Sequence, residues 1–282
     1  MTSRPPKFSV NLFGNGRVPE MVEEGRRAEA AGFDVVMLPD HLGSTAPLVP
    51  LVAIAQAAPK LQVSNLVIDA AFYRPALLAR DLASVDSATG GRLIIALGTG
   101  YVEAEFIAAG LPVPSPGARV KILTEHVTQI RRLLSDPGHI PPPMQTPPPI
   151  MVAGIGDKLL RMAAAHADII SIASLGSEAD LAERVAFVKS HAGQRINDIE
   201  LAFGFFQVSL DDHADLSVIR LLDAETPDAE VRQWTTVLHG SVEQAAERIH
   251  HLRDELGISY FHLNKTPSTS WETLEQLIAA VK

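Results

Sequence analysis

The chain has 282 residues, 46% hydrophobic and 20% charged, an ordinary balance for a packed globular protein. It contains no cysteine, which excludes disulfides, thiolate metal sites and cysteine nucleophiles. Its 33 acidic residues against 24 basic ones give a net charge of −9. That field disfavours general nucleic-acid binding and leaves any anionic cofactor dependent on a local cluster of bases or backbone amides.

No stretch reaches about 18 uncharged apolar residues, so no membrane span is expected. The opening MTSRPPKFSV lacks the apolar run of a signal peptide, and a cytoplasmic protein is expected. Short, β-rich apolar runs then recur along the chain. Strands are expected at 8–13, 33–38, 62–70, 92–97, 149–153, 168–173, 201–208 and 258–263. Several are nearly continuous in Val, Ile, Leu and Phe, as strands buried on both faces should be.

Helical periods lie between them. Leu78, Leu82 and Val85 form one apolar stripe, and Val120, Leu123, Val127, Ile130 and Leu134 form another. Val242, Ala246, Ile249, Leu252 and Leu256 follow a start signal at Ser241, and Leu274, Leu277 or Ile278, and Val281 close the chain. Gly32, Gly90, Gly110 and Gly257 stand where left-handed helix ends need glycine. The alternation predicts an α/β fold in which residues 1–282 form one closed (β/α)8 barrel of eight parallel strands, a TIM barrel; an open doubly wound sheet is the alternative. Two segments break the rhythm. The proline cluster in 135–149 reads as a stiff connector, and 209–240 reads as a lid or insertion at the barrel mouth.

In such a barrel, reactive groups sit where strands end. Asp40-His41 follows the second strand. A histidine there can donate or accept a proton near neutral pH with a carboxylate to bias it, or it can merely cap the next segment. Gly98-Thr99-Gly100 and Gly154-Ile155-Gly156 follow two successive strands. Such loops let backbone N–H groups approach an anion, with Lys158 and Arg161 nearby to add charge, or they are ordinary tight turns. Phe13, Leu42 and Trp234 are candidates for an apolar substrate wall. The ten histidines are scattered, and His250-His251 cannot face one ion from one helix, so no metal is expected.

Four stretches resemble the luciferase-like monooxygenases: 35–41 (VVMLPDH), 74–112, 147–170 and 239–263. The middle one, with RPALLARDLASVDSATGG and LGTGYVEAEF, is the most specific. Asp-His after the second strand is similar to the branch that uses coenzyme F420, an 8-hydroxy-5-deazaflavin. The resemblance implies an F420-dependent oxidoreductase that transfers a hydride to or from a small organic substrate. In it His41 is the acid–base group and Asp40 contacts the ring region. Asp69, Ala70 and Ala71 would lie behind the ring, with a non-proline cis peptide at Ala70–Ala71. Gly98, Thr99, Gly100, Gly154, Ile155, Gly156 and Lys158 would hold the phosphate-bearing tail. Connector 135–149 is shorter than in relatives, which implies a more open pocket or closure by 209–240. An FMN-dependent monooxygenase is the neighbouring reading, and a non-catalytic flavin-binding barrel the third. A homodimer is the assembly to look for.

Overall fold

The computed structural model describes residues 4–13, 16–210, 216–220 and 223–282. Its strands are β1 (Lys7–Asn11), β2 (Val35–Leu38), β3 (Gln62–Asn65), β4 (Ile68–Asp69), β5 (Leu93–Gly98), β6 (Ile150–Gly154), β7 (Ile169–Ile172), β8 (Glu200–Phe205), β9 (Gln207–Ser209), β10 (Val237–His239) and β11 (Ile258–Asn264). All except β9 and β10 form one parallel sheet in the order β3-β2-β1-β11-β8-β7-β6-β5-β4. Pairing of β3 with β5, Val63 opposite Leu93, closes it into a barrel. Nine segments, with β3 and β4 sharing one position, make eight staves.

The expected third strand, 62–70, is broken in two. Leu66–Val67 is a non-proline cis peptide, and Ala70–Phe72 is a one-turn 3-10 helix. The Ala70–Ala71 bond lies inside that turn, where the Tyr73 N–H donates to the Ala70 carbonyl, so the cis bond falls upstream of the expected place.

Burial explains the near-continuous apolar strands. Val35, Met37, Ile94, Ala96, Met151, Ile169, Ala202 and Tyr260 pack together inside the barrel. Alternate residues such as Val36, Leu38, Ile95, Val152 and Phe261 point outward into a larger core shared with the helices.

The helices are α1 (Val18–Ala30), α2 (Leu48–Ala57), α3 (Pro75–Ala88), α4 (Glu103–Ala108), α5 (Pro116–Leu134), α6 (Asp157–His166), α7 (Glu178–Ala192), α8 (Ser217–Arg220), α9 (Asp228–Val231), α10 (Val242–His251) and α11 (Trp271–Val281). The stripe on α5 is buried as its spacing predicts, apart from Val120, which is partly buried. Ser241 caps α10 by accepting the Gln244 N–H. Gly32, Gly90, Gly110 and Gly257 all have positive φ.

The proline connector is anchored by one carboxylate. Asp86, fully buried on α3, accepts the Met144 and Gln145 N–H groups at 2.7 and 2.8 Å and the Gln145 side-chain amide at 2.8 Å. Segment 209–240 packs its own small core. Leu216, Ile219, Val231, Trp234 and Val237 cluster with Phe206, and β9 pairs in parallel with β10. The Thr235 N–H ties it to the Gly176 carbonyl after β7. Residues 211–215 and 221–222 of that segment lie outside the described residues.

Candidate active site

The C-terminal ends of β2, β4 and β5 bring together groups that are far apart in the chain. Asp40 and His41 leave β2, Asp69 ends β4, and the loop after β5 leads into α4, which carries Glu105. His41 Nδ1 lies 2.9 Å from Glu105 Oε1, and the ring meets Tyr101 edge-on at 6.1 Å. With the carboxylate ionised, Nδ1–H donates to Glu105, and Nε2 takes no part in that bond. The sequence neighbour Asp40 does not make this contact. Its carboxylate accepts the Asp69 N–H at 3.3 Å and bonds the Tyr73 hydroxyl. Asp40 and His41 interact through their charges, while the hydrogen bond of the ring goes to Glu105.

Three carboxyl groups share this corner, and burial pushes two of them toward their neutral forms. Asp69, 6% exposed, is raised to about 6, chiefly by desolvation and then by the charges of Asp40 and Glu105. The Ala71 N–H, which Asp69 Oδ1 accepts at 2.9 Å, and Arg119 oppose that rise. Desolvation also raises Asp40, against the bonds from Tyr73 and Asp69. Tyr73 is itself held protonated by burial and by Asp40.

The two glycine loops differ. A Cβ on Gly98 would come 2.3 Å from Val67 Cγ2, and one on Gly100, at φ +65°, would come 1.8 Å from Asp69 Oδ2. These glycines therefore admit the chain's own side chains, whatever else they bind. Gly154-Ile155-Gly156 is more open. Gly156 is the N-cap of α6 and provides no side-chain cap, and Asp157 and Lys158 beside it are exposed. Free amides at the start of a ten-residue helix, with a lysine alongside, suit a phosphate. Thr99 is partly buried between the paired glycines.

Ala70 is buried and Ala71 contributes its N–H to Asp69, so both serve the corner through backbone. The three apolar wall candidates have separate surroundings. Leu42 is 48% exposed beside His41, and Trp234, 7% exposed, is interior to the cluster of the 209–240 segment. Phe13 lines a cavity of about 340 Å³ with Leu12, Met21, Lys265 and Thr266. Neither Asp40 nor His41 lines it.

Tyr73 and Tyr101 stand at strand ends in the sequence but carried no expected role, and Glu105 was not among the expected site residues. Sequence inspection also missed polar pairs inside the barrel, where Ser9 Oγ meets His262 Nδ1 at 2.6 Å and Asn11 Nδ2 meets Asn264 Oδ1 at 3.2 Å. Their signal was available: Lys7, Ser9 and Asn11, and likewise Tyr260, His262 and Asn264, recur with the two-residue period of one strand face. Glu105 had no comparable signal, since Glu103 stands nearer the strand end.

Comparison with known proteins agrees with this architecture. The chain is 31% identical over 136 residues to an F420-dependent glucose-6-phosphate dehydrogenase of Amycolatopsis mediterranei, a match covering 45% of this chain and 40% of that protein. The chain thus matches less than half the length of such relatives. A solved F420-dependent secondary alcohol dehydrogenase in complex with an F420–acetone adduct superposes with a TM-score of 0.82 at 18% identity, covering 99% of this chain and all of that one. A long-chain alkane monooxygenase superposes with a TM-score of 0.78 at 14% identity, covering 99% of this chain and 91% of that one. At such identities these two bear on the fold alone. The model of the luciferase-like monooxygenase family matches residues 5–223, well over half the chain, and the protein belongs to that family.

Proposed function

We propose that the protein is an oxidoreductase that uses coenzyme F420 and moves a hydride between it and a small organic substrate, with His41 as the acid–base group. The observation that carries this is the His41–Glu105 pair, seated beside Asp40 and Asp69 at the same end of the barrel as a loop and helix N-terminus suited to a phosphate. The sequence relatives named for F420 favour the same coenzyme.

When bound, the deazaflavin ring supplies two-electron hydride chemistry. The protein supplies the rest. Gly156, the amides that open α6 and Lys158 would hold the phosphate. Glu105 fixes the tautomer of His41 so that Nε2 takes the hydroxyl proton of a substrate being oxidised, or returns one to a carbonyl being reduced. Asp40, held by Tyr73 and the Asp69 N–H, would offer the coenzyme a carboxyl group that does not compete for the His41 hydrogen bond.

The test is a fluorescence titration of the purified protein with F420 and, in parallel, with FMN. Tight binding of F420, weakened about tenfold by Lys158→Glu through loss of a charge-assisted contact, supports the proposal. Preference for FMN moves the protein to the oxygen-using branch of its family, and binding of neither favours a non-catalytic barrel.

A further inference from the structure

The base of the barrel, at the end opposite the groups assigned above, holds a cavity of about 360 Å³. Lys7 opens β1, Asp34 precedes β2, Gln62 opens β3 and Glu200 opens β8, and all four line this cavity with Arg4. Lys7 is partly buried, and its Nζ lies 4.6 Å from the centroid of the fully buried Tyr260 ring. Among the described residues that nitrogen forms no ion pair and no hydrogen bond. The other charged groups of the cavity have partners. Asp34 accepts the Phe8 N–H at 2.8 Å and the Lys282 ammonium at 2.9 Å. Arg4 donates to the Asn197 carbonyl at 3.0 Å, and Glu200 accepts the Ser259 hydroxyl at 3.4 Å.

A lysine nitrogen is a nucleophile only when neutral, and removal from water favours the neutral amine. Burial lowers the proton affinity of Lys7 and outweighs Glu200 and Asp34, which favour the ammonium. His262, deeper in the barrel, adds no positive charge, since burial and then Lys7 lower its pKa to about 3. Lys265 is the contrast within the chain. Burial lowers it too, but it donates to the Thr266 carbonyl at 3.0 Å. Lys7 combines an uncommitted nitrogen with room for a reactant. The room also selects that reactant. Its volume is near the small end of ligand pockets, which run from roughly 300 to 1,000 Å³. Pro5 and Pro6 supply an apolar wall. With Arg4 engaged and two carboxyl side chains facing the space, a phosphate or carboxylate would find little free positive charge.

We propose that Lys7 is a covalent capture site, at which Nζ forms an imine with a small uncharged aliphatic aldehyde held in this cavity. The amine lone pair attacks the carbonyl carbon, and the carbon–oxygen π pair moves to oxygen. The nitrogen gives up two protons, the oxygen receives two and leaves as water, and the carbon–nitrogen double bond forms. Nothing is oxidised or reduced. The Tyr260 face favours the imine in its protonated form. An acyl phosphate or a thioester would need space for a charged or bulky leaving group, whereas an aldehyde releases only water. The site lies at the other end of the barrel from His41 and does not depend on the F420 reading.

The test treats the intact protein at pH 7 with propanal and cyanoborohydride, which reduces any imine to a stable propyl-lysine. Peptide mass spectrometry then follows each lysine with time. The expected result is modification of Lys7 about tenfold or more faster than of the exposed Lys60, Lys121 and Lys158, the scale on which desolvation activates an amine. Unfolding the protein in urea should abolish that preference. Pyridoxal 5′-phosphate, a larger and anionic aldehyde, should modify the exposed lysines and spare Lys7. Reaction of Lys7 with propanal no faster than the exposed lysines overturns the proposal. So does a preference that survives in urea, which would belong to the local sequence and not to the cavity. Faster reaction at Lys265 than at Lys7 overturns it as well, because burial without a free nitrogen would then suffice. Modification of Lys7 by pyridoxal 5′-phosphate as fast as by propanal overturns the selection for small uncharged aldehydes. Each outcome is read whether or not F420 binds.

Discussion

His41 Nδ1 meets Glu105 Oε1 at 2.9 Å, although the two residues are 64 positions apart and Asp40 is the histidine's chain neighbour. The contact joins the loop after β2 to α4 and sets which ring nitrogen faces the mouth. Removing the imidazole in His41→Ala is expected to slow turnover by about 10²–10⁴-fold with F420 affinity retained. Glu105→Gln keeps the size but loses the charge of the partner. It should cost about 10- to 100-fold in kcat, the worth of one charge-assisted hydrogen bond. Steady-state kinetics beside a fluorescence titration separate the two effects, and an equal loss of affinity would assign the pair to binding instead.

Asp69 gives stability a pH dependence of defined sign. Its folded pKa, about 6, lies above the ordinary aspartate value of 3.8, so the native state holds this proton more tightly than the unfolded chain. Its contribution is fully present below about pH 4 and is lost as pH rises toward 6 and beyond. Asp69→Asn removes that penalty and keeps an oxygen for the Ala71 N–H. The variant's melting temperature should therefore exceed that of the native protein more at pH 7.5 than at pH 4.5. A difference independent of pH would show that the carboxyl does not titrate in this window.

Gly100 and Asp69 are coupled by space. Gly100→Ala adds a Cβ at φ +65° within 1.8 Å of Asp69 Oδ2. The left-handed backbone alone costs about 1 kcal/mol, and the overlap adds to it. Asp69→Ala removes the oxygen that the new methyl would strike. A double-mutant cycle by denaturant unfolding should show that Gly100→Ala is at least about 1 kcal/mol milder in the Asp69→Ala background.

Asp86 is the anchor of the proline connector. Asp86→Ala strands the Met144 and Gln145 N–H groups and the Gln145 amide, and is expected to destabilise the protein by about 2–4 kcal/mol. Limited proteolysis should then cut within 135–149 before the barrel unfolds. Asp86→Asn, which keeps acceptor capacity, should lose less.

The family resemblance and the barrel were legible because both depend on patterns that a sequence carries. All eight staves were expected from short runs such as Leu93–Leu97 and Ile169–Ile172, since a strand buried on both faces reads as a nearly continuous apolar run. The stripe on α5 and the glycines at 32, 90, 110 and 257 were equally direct, because helical period and positive φ are local properties. The break at Leu66–Val67 was not, since β4 exists only through its pairing with β5.

The site was legible as positions and not as partnerships. Strand ends placed Asp40, His41, Asp69 and both glycine loops at one end of the barrel, which follows from topology. Which carboxylate reaches His41, why Gly100 must lack a side chain, and how Asp69 comes to hold a proton near neutral pH depend on loop directions and burial. Chain order thus determined the staves and the end of the barrel where chemistry belongs, because periodicity encodes which faces are buried. Only the tertiary structure decided the contacts, because side chains on loops follow no period and their nearest neighbours in space come from other staves.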